Sequence, residues 1–331
     1  MKFGTGKIFH RLDQQRELGV LLLLVLTVAI VSIRDSNFLL LGNIRDMLVG
    51  AAPTLIIGCG MTLVIVTGEI DISVGSLMGL CAAVMGQLTS TTDGRLGLPV
   101  WVGVAAMLSL GALVGLINGL LVTVGRVPSI IVTLGMLTAL RGITQRVIGP
   151  TWIQDMPPGL RYFGTGTIFG IPVSVLTAIV VVVGFIIMTR QTPLGRRIYA
   201  VGSNVRSAHL AGISQTRIKL AVFIITGILT AIATLVSATQ LQVIDPGFGK
   251  SRELLIVTCV VVGGTSISGG RGTIIGSALG ALLLSIVGTV LIFMKLGPSA
   301  SYWERAIHGA FILLAVLADH LAPESSSEAH A

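Results

Sequence analysis

The sequence predicts an all-α, polytopic membrane protein of about ten transmembrane helices, and three observations carry that prediction. Of 331 residues, 53% are hydrophobic and only 11% are Asp, Glu, Lys or Arg, against about 25% charged in soluble domains. Mean hydropathy is +0.94, which leaves too little polar surface to wet a soluble globule and too much apolar surface for a disordered chain. The charges fall so that ten uncharged stretches lie between them, and a spanning helix needs about 20 apolar residues.

The stretches run 18–33, 47–68, 72–92, 96–125, 127–140, 162–189, 220–244, 254–270, 272–294 and 306–318. The short ones extend past their flanking charges, because Lys and Arg can snorkel to the interface. The fifth is expected to run to Ile148 and to carry Arg141 and Arg146. The first follows Lys2, Lys7, Arg11 and Arg16 without a small-residue cleavage site after it, so it reads as an uncleaved span after a tail, 1–17. The transmembrane domain covers 18–320. The last residues, 321–331, are polar and expected to be disordered. Small residues recur every four positions at Gly111, Gly115 and Gly119, at Gly272, Gly276 and Gly280, and at Gly75 and Gly79. That spacing puts them on one helix face, where backbones can approach.

Basic loops set orientation. The tail 1–17 has four Lys or Arg, and 190–219 has six with no acid. Six spans separate the two blocks, so both can face the cytoplasm, and ten spans return the C-terminus there. Summed over all loops, 12 Lys or Arg fall inside and 10 outside, so the orientation rests on these two blocks.

Several chemistries are disfavoured. No strand alternation recurs at about 10-residue intervals, which excludes a transmembrane β-barrel. The net charge of +8 is spread singly between apolar runs and offers no basic domain for nucleic acid. Cys59, Cys81 and Cys259 lie inside apolar stretches without CxxC spacing, and read as buried small residues. The five histidines form no metal-binding spacing, so neither a metal nor a catalytic centre is expected. Gly249-Lys250-Ser251 imitates the end of a phosphate-binding loop, but Ile244 stands where its first glycine belongs. The chain therefore has no nucleotide site of its own, and any ATP and Mg would be held by a partner.

An ion-coupled carrier places ionisable groups at membrane depth. Glu69 and Asp71, between the second and third stretches, are the candidates; the competing reading is a polar turn, with Asp71 an N-cap for the third span. A secondary carrier and a passive channel stay open as alternatives. The segment 190–217 is long, basic and punctuated by Gly195, Gly202 and Gly212, with 205–210 able to form a short helix. It reads as a docking element in which Gly202 and Gly212 set the turns at either end. Arg196, Arg197, Asn204, Arg206 and Ala208 are its further coupling candidates.

Four ordered blocks between about 40 and 320 resemble the permeases of monosaccharide ABC importers, the ribose, arabinose, galactose, rhamnose and autoinducer-2 group. Thr192-Pro193-Leu194-Gly195-Arg196-Arg197-Ile198-Tyr199-Ala200-Val201-Gly202-Ser203-Asn204, with Ala208 and Ala211-Gly212-Ile213, is similar to their cytoplasmic loop. Gly68-Glu69-Ile70-Asp71-Ile72-Ser73-Val74-Gly75-Ser76 resembles a G-x-x-D-L-S-V-G-S segment, with Glu69 and Ile72 as departures. Gly115-Leu116-Ile117-Asn118-Gly119 with Pro128–Gly135, and Glu253-Leu254 with Gly263–Gly272, complete the likeness.

The resemblance implies a type II ABC importer permease-like bundle in the bacterial inner membrane. It implies three partners: a cytoplasmic ATP-binding subunit, a second permease copy or homologue, and a periplasmic sugar-binding protein. Tyr302-Trp303 and Trp152 lean toward the rhamnose and autoinducer-2 branch. Glycine-allowed breaks at membrane depth survive only where they are buried or line a cavity. A path for a hydroxyl-rich ligand is therefore expected past Asp71, Ser73, Gly75 and Asn118, and past Gly263, Gly264, Gly269 and Gly270.

Overall fold

The computed structural model describes residues 5–92, 94–295 and 300–321, and the tail expected to be disordered lies outside them except for Leu321. Fourteen α-helices follow one another among these residues: α1 (Thr5–Arg34), α2 (Leu41–Val66), α3 (Val74–Thr89), α4 (Val100–Thr123), α5 (Ser129–Ile148), α6 (Pro158–Thr165), α7 (Val173–Gln191), α8 (Pro193–Ser203), α9 (Val205–Leu210), α10 (Gln215–Ala238), α11 (Arg252–Val262), α12 (Ile274–Ser285), α13 (Val287–Phe293) and α14 (Ala300–Leu321). A two-residue hairpin, β1 (Thr167–Ile168) with β2 (Ile171–Pro172), precedes α7.

Among the described residues, seven stretches are long and apolar enough to cross a membrane: Glu17–Arg34, Leu41–Val66, Val100–Thr123, Ser129–Ile148, Val173–Gln191, Gln215–Ala238 and Ile274–Phe293. The other three expected spans correspond to α3, α11 and α14. The fifth ends at Ile148 as expected. The sixth differs, because Pro157, Gly166, Gly170 and Pro172 divert 158–172 into α6 and the hairpin and only 173–191 is span. The eighth differs more: α11 has 11 residues, about 16 Å at 1.5 Å per residue, half of a hydrocarbon core.

Turns sort to the two ends of the bundle in alternation. At one end, Ile70 N–H donates to Ser129 Oγ at 3.2 Å and Lys219 pairs with Glu69. Thr273 Oγ1 donates to Glu17 there as well. At the other end, Gln87 donates to the Val147 carbonyl, Ser90 Oγ donates to the Gln154 carbonyl at 2.5 Å, and Ile153 bridges Ile244. The segments 67–73, 124–128, 192–214 and 263–273 share the first end, and 90–99, 149–172 and 239–244 share the second. This is the alternation the sequence predicts.

The core is layered around α2 and α3. Residues 51–54, 56–66 and 74–83 are buried. Lipid supplies no hydrophobic drive between helices, so contact area and backbone approach decide the packing. A Cβ at Gly111 would stand 2.4 Å from the Gly227 carbonyl oxygen, one at Gly227 2.1 Å from that of Gly111, and one at Gly115 2.3 Å from that of Phe223. Gly276 and Gly280 meet α11 likewise, 2.1 Å from the Gly263 and Cys259 carbonyls. No side chain can be added there without moving backbone. Gly227→Val should separate α4 from α10, and the variant should fail to accumulate as folded protein in membranes. Normal accumulation and thermal stability would show that the two helices need not touch.

Candidate translocation and coupling site

Three segments converge where α2 ends. Val66 closes α2 and Gly68 turns the chain with φ 78°. The Val66 carbonyl accepts the Gly270 N–H at 2.8 Å. A Cβ at Gly202 would stand 1.9 Å from the same carbonyl oxygen, and one at Gly270 2.9 Å from Ser203 Cα. Tyr199 OH donates to the Gly272 carbonyl at 2.7 Å. The last turn of α8 is thus clamped onto both backbone breaks, 67–73 and 263–273. Gly269 and Gly270 adopt φ of 86° and 73°, conformations open to glycine, and so let the second break fold against the first.

The loop itself matches its expected parts and corrects one. The short helix is α9, Val205–Leu210, capped by the Asn204 side chain accepting the Ser207 N–H at 2.8 Å. Thr192 caps α8 through the Gly195 N–H at 3.3 Å. Gly212 makes a turn with φ 77° and open space around it. Gly195 and Gly202, expected as helix breakers, lie inside α8 (Pro193–Ser203). Gly195 is there because α8 crosses the end of α7, 2.4 Å from the Thr189 carbonyl, and Gly202 because α8 touches Val66. Ala208 is buried; Arg196, Arg197 and Arg206 are exposed. Leu210 stands 82% exposed among these cations, an apolar knob at the loop's edge.

Asp71 and its neighbours form a closed network rather than an open channel wall. Asp71 Oδ1 accepts the Ser73 N–H at 2.8 Å and Ser73 Oγ–H at 2.6 Å, while Asn118 Nδ2 donates to Ser73 Oγ at 3.0 Å. All three are buried. Asp71 therefore organises the entry to α3 two residues ahead of it, a turn closed by a side-chain oxygen, and ties that entry to α4. Glu69 is matched by Lys219 at 2.5 Å. A cavity of about 500 Å³ opens beside that pair, lined by Thr123, Arg126, Pro128, Gln215 and Thr216.

The breaks at Asp71 and at Gly263–Gly270 were expected at membrane depth. α2 and α11 run out at the end of the bundle that holds the loop, and from there the first break leads back to Asp71 and Ser73, whose network reaches Asn118 inside α4. Gly263 and Gly264 follow α11 directly, and Gly263 packs 2.3 Å from the Gly276 carbonyl. Irregular backbone also lies at 245–251, packed against the middle of α5 and the first turns of α3. Arg141 Nη1 donates to the Phe248 carbonyl at 3.0 Å. A Cβ at Gly79 would stand 3.0 Å from the Phe248 oxygen, and one at Gly75 1.9 Å from Glu253 Oε2. Gly75 is thus kept small by this segment. Sequence spacing missed the segment because it sits between two charge clusters and looks like a surface turn. Its only signal was Arg141, a cation well inside the fifth span.

The exposed surface of α5 beside that segment mixes Gly135, Thr138, Gly142, Gln145 and Arg146 with apolar Ile131, Leu134 and Ile143. Polar groups at depth face a bundle interior or water rather than lipid. These features belong to a multi-pass helical membrane protein whose basic loop packs against the ends of its spans. A family model described as "Branched-chain amino acid transport system / permease component" matches residues 43–316, and the chain belongs to that family.

Among curated relatives, the chain is 38% identical over 316 residues to the ribose import permease protein RbsC of Bacillus subtilis, covering 95% of each. It is 36% identical over 303 residues to that of Haemophilus influenzae, 90% of this chain and 91% of the relative. It is 33% identical over 317 residues to the autoinducer 2 import system permease protein LsrC of Yersinia enterocolitica, 96% of this chain and 85% of the relative. No solved structure matches. The chain is a permease subunit of an ABC importer, a transport component and not an enzyme.

Proposed function

We propose that this permease carries a small neutral sugar across the bacterial inner membrane, with both termini and the 192–214 loop in the cytoplasm. Ribose and autoinducer-2 are the cargoes named for its relatives, and both chemistries are compact and hydroxyl-rich. The lean toward rhamnose rests on Tyr302, Trp303 and Trp152 alone and has no support among those relatives. The partners are a cytoplasmic ATP-binding subunit that holds ATP and Mg, a second permease copy or homologue, a periplasmic sugar-binding protein and the surrounding lipid.

One observation carries the reading: Gly202 of α8 and Gly270 of the second break meet the same Val66 carbonyl. A push on α8–α9 from a docked ATPase is thereby delivered to the ends of α2 and α11 without any intervening side chain to absorb it. Arg196, Arg197, Arg206 and Leu210 offer the docking surface. The pairing of Glu69 with Lys219 and the closed Asp71 network weigh against an ion-coupled carrier that loads its ion at either of these two carboxylates. Uptake of labelled D-ribose should require co-expression of the cognate ATPase and vanish when that ATPase cannot hydrolyse ATP. Uptake that persists without it, driven by a proton or sodium gradient, would establish the carrier instead.

A further inference from the structure

The return crossing between α10 and α11 is built unlike any other part of the bundle. α10 delivers the chain to the end where Ile244 bridges Ile153. The chain then comes back inward without helix. Phe248 reaches Arg141, which lies twelve residues past Ser129 and seven short of Ile148, or about 18 Å and 10 Å from the ends of α5 at 1.5 Å per residue. Gly249 packs against the Gly75 carbonyl at the first turn of α3. Only there does α11 begin, and Glu253 sits in its first turn.

Two features of this segment are costly at membrane depth. The Glu253 Oε2 atom is buried and has no hydrogen-bond partner among the described residues. On the outer side of the same segment, Lys250, Ser251, Arg252 and Leu254 are exposed, and Ser251 holds a left-handed φ of 65°. Irregular backbone and unpaired charges are not tolerated against lipid and persist where they line a water-filled cavity. The exposed small face of α5, with Thr138 and Gly142, carries Arg141 and so adjoins the segment.

We infer that the segment 245–254 is the sugar-recognising constriction of the translocation path, with Glu253 accepting hydrogen bonds from, and Arg141 donating them to, adjacent hydroxyls of a neutral polyol. The inference rests on the sugar-permease reading and names the substrate chemistry within it. Glu253 Oε2 meets α3 at Gly75 and Arg141 Nη1 meets it one turn on at Gly79, and a carboxylate with a guanidinium supplies an acceptor and several donors, which suits a vicinal diol. An aliphatic amino-acid side chain would instead leave those groups desolvated and unpaired, a loss that discriminates strongly. Glycines at 75 and 79 give the segment its seat and leave no side chain between it and α3.

The test uses the full importer, with its ATPase and binding protein, in membrane vesicles. The native cysteines Cys59, Cys81 and Cys259 are buried, so introduced thiols can be read individually. Ser251→Cys and Thr138→Cys should react with a charged, membrane-impermeant thiol reagent, and saturating D-ribose should slow both reactions. Glu253→Gln should insert and bind the ATPase normally, yet lower D-ribose uptake at least about tenfold, the factor of a 1.4 kcal/mol loss, and narrow the preference for D-ribose over 2-deoxyribose. Thiols that never react, or that react without protection by D-ribose, would overturn the constriction, as would an unchanged sugar preference in Glu253→Gln. A merely structural Glu253 would lower membrane levels and leave the preference intact. Wild-type uptake that fails to depend on the ATPase would sink the importer reading itself, separately from these outcomes.

Discussion

Gly202→Val abolishes coupled uptake in the expected result, while Gly212→Val retains most of it. The two glycines look alike in sequence and differ in what surrounds them. A Cβ at 202 would stand 1.9 Å from the Val66 carbonyl oxygen and 2.9 Å from the Gly270 nitrogen. Both neighbours are backbone, so nothing can rotate away. Either α8 lifts off the breaks or α2 shifts at its end, and overpacking of this kind costs about 1–3 kcal/mol or more. At 212 the space is open and only the φ of 77° resists, a penalty of about 1–2 kcal/mol. Uptake of D-ribose, with co-purification of the ATPase, reads the difference. Gly202→Val that transports normally would mean the clamp is not the route by which force enters the spans.

Asp71→Ala should remove transport or assembly, and Asp71→Asn should keep most of both. Oδ1 of Asp71 accepts two hydrogen bonds from Ser73. Asn retains an oxygen at that place, as a capping or turn-closing role requires. Ala leaves the buried Ser73 N–H and hydroxyl without that acceptor, and a buried orphaned polar group costs about 1–3 kcal/mol. The Asn118 contact from α4 would lose its partner's orientation as well. Membrane levels and uptake of the two variants, compared side by side, decide the role. If Asn proves as damaging as Ala, the charge itself is needed, and an ion or proton site at Asp71 must be reconsidered.

Much of this protein is fixed by its sequence alone. Charge-free stretches of span length force helices, because in lipid every backbone group must find its partner within the segment or in a closed barrel. The alternation of turns between two ends follows from the number of such stretches. The glycines at 111, 115 and 119 announce a close-packed face, since four-residue spacing is a geometric property of one helix. The loop between 192 and 214 shows its short helix through Asn204, a residue that caps locally.

Tertiary structure alone decided which irregular segments lie at depth and what each glycine is for. The sequence shows that 67–73, 245–251 and 263–273 are not helical, but depth depends on where the flanking helices stop and on what they pack against. α11 is seated on α12 by the close approach of the Gly263 and Cys259 carbonyls to Gly276 and Gly280, a packing that the sequence of α11 alone does not show. Gly195 and Gly202 are small because of what α8 packs against: Gly195 meets the end of α7 at Thr189, just before it in the chain, and Gly202 meets Val66 across the bundle. Local periodicity reports on neighbours three or four residues away. It carries no information about a carbonyl more than a hundred residues distant, such as that of Val66, which fixes Gly202 at the coupling site.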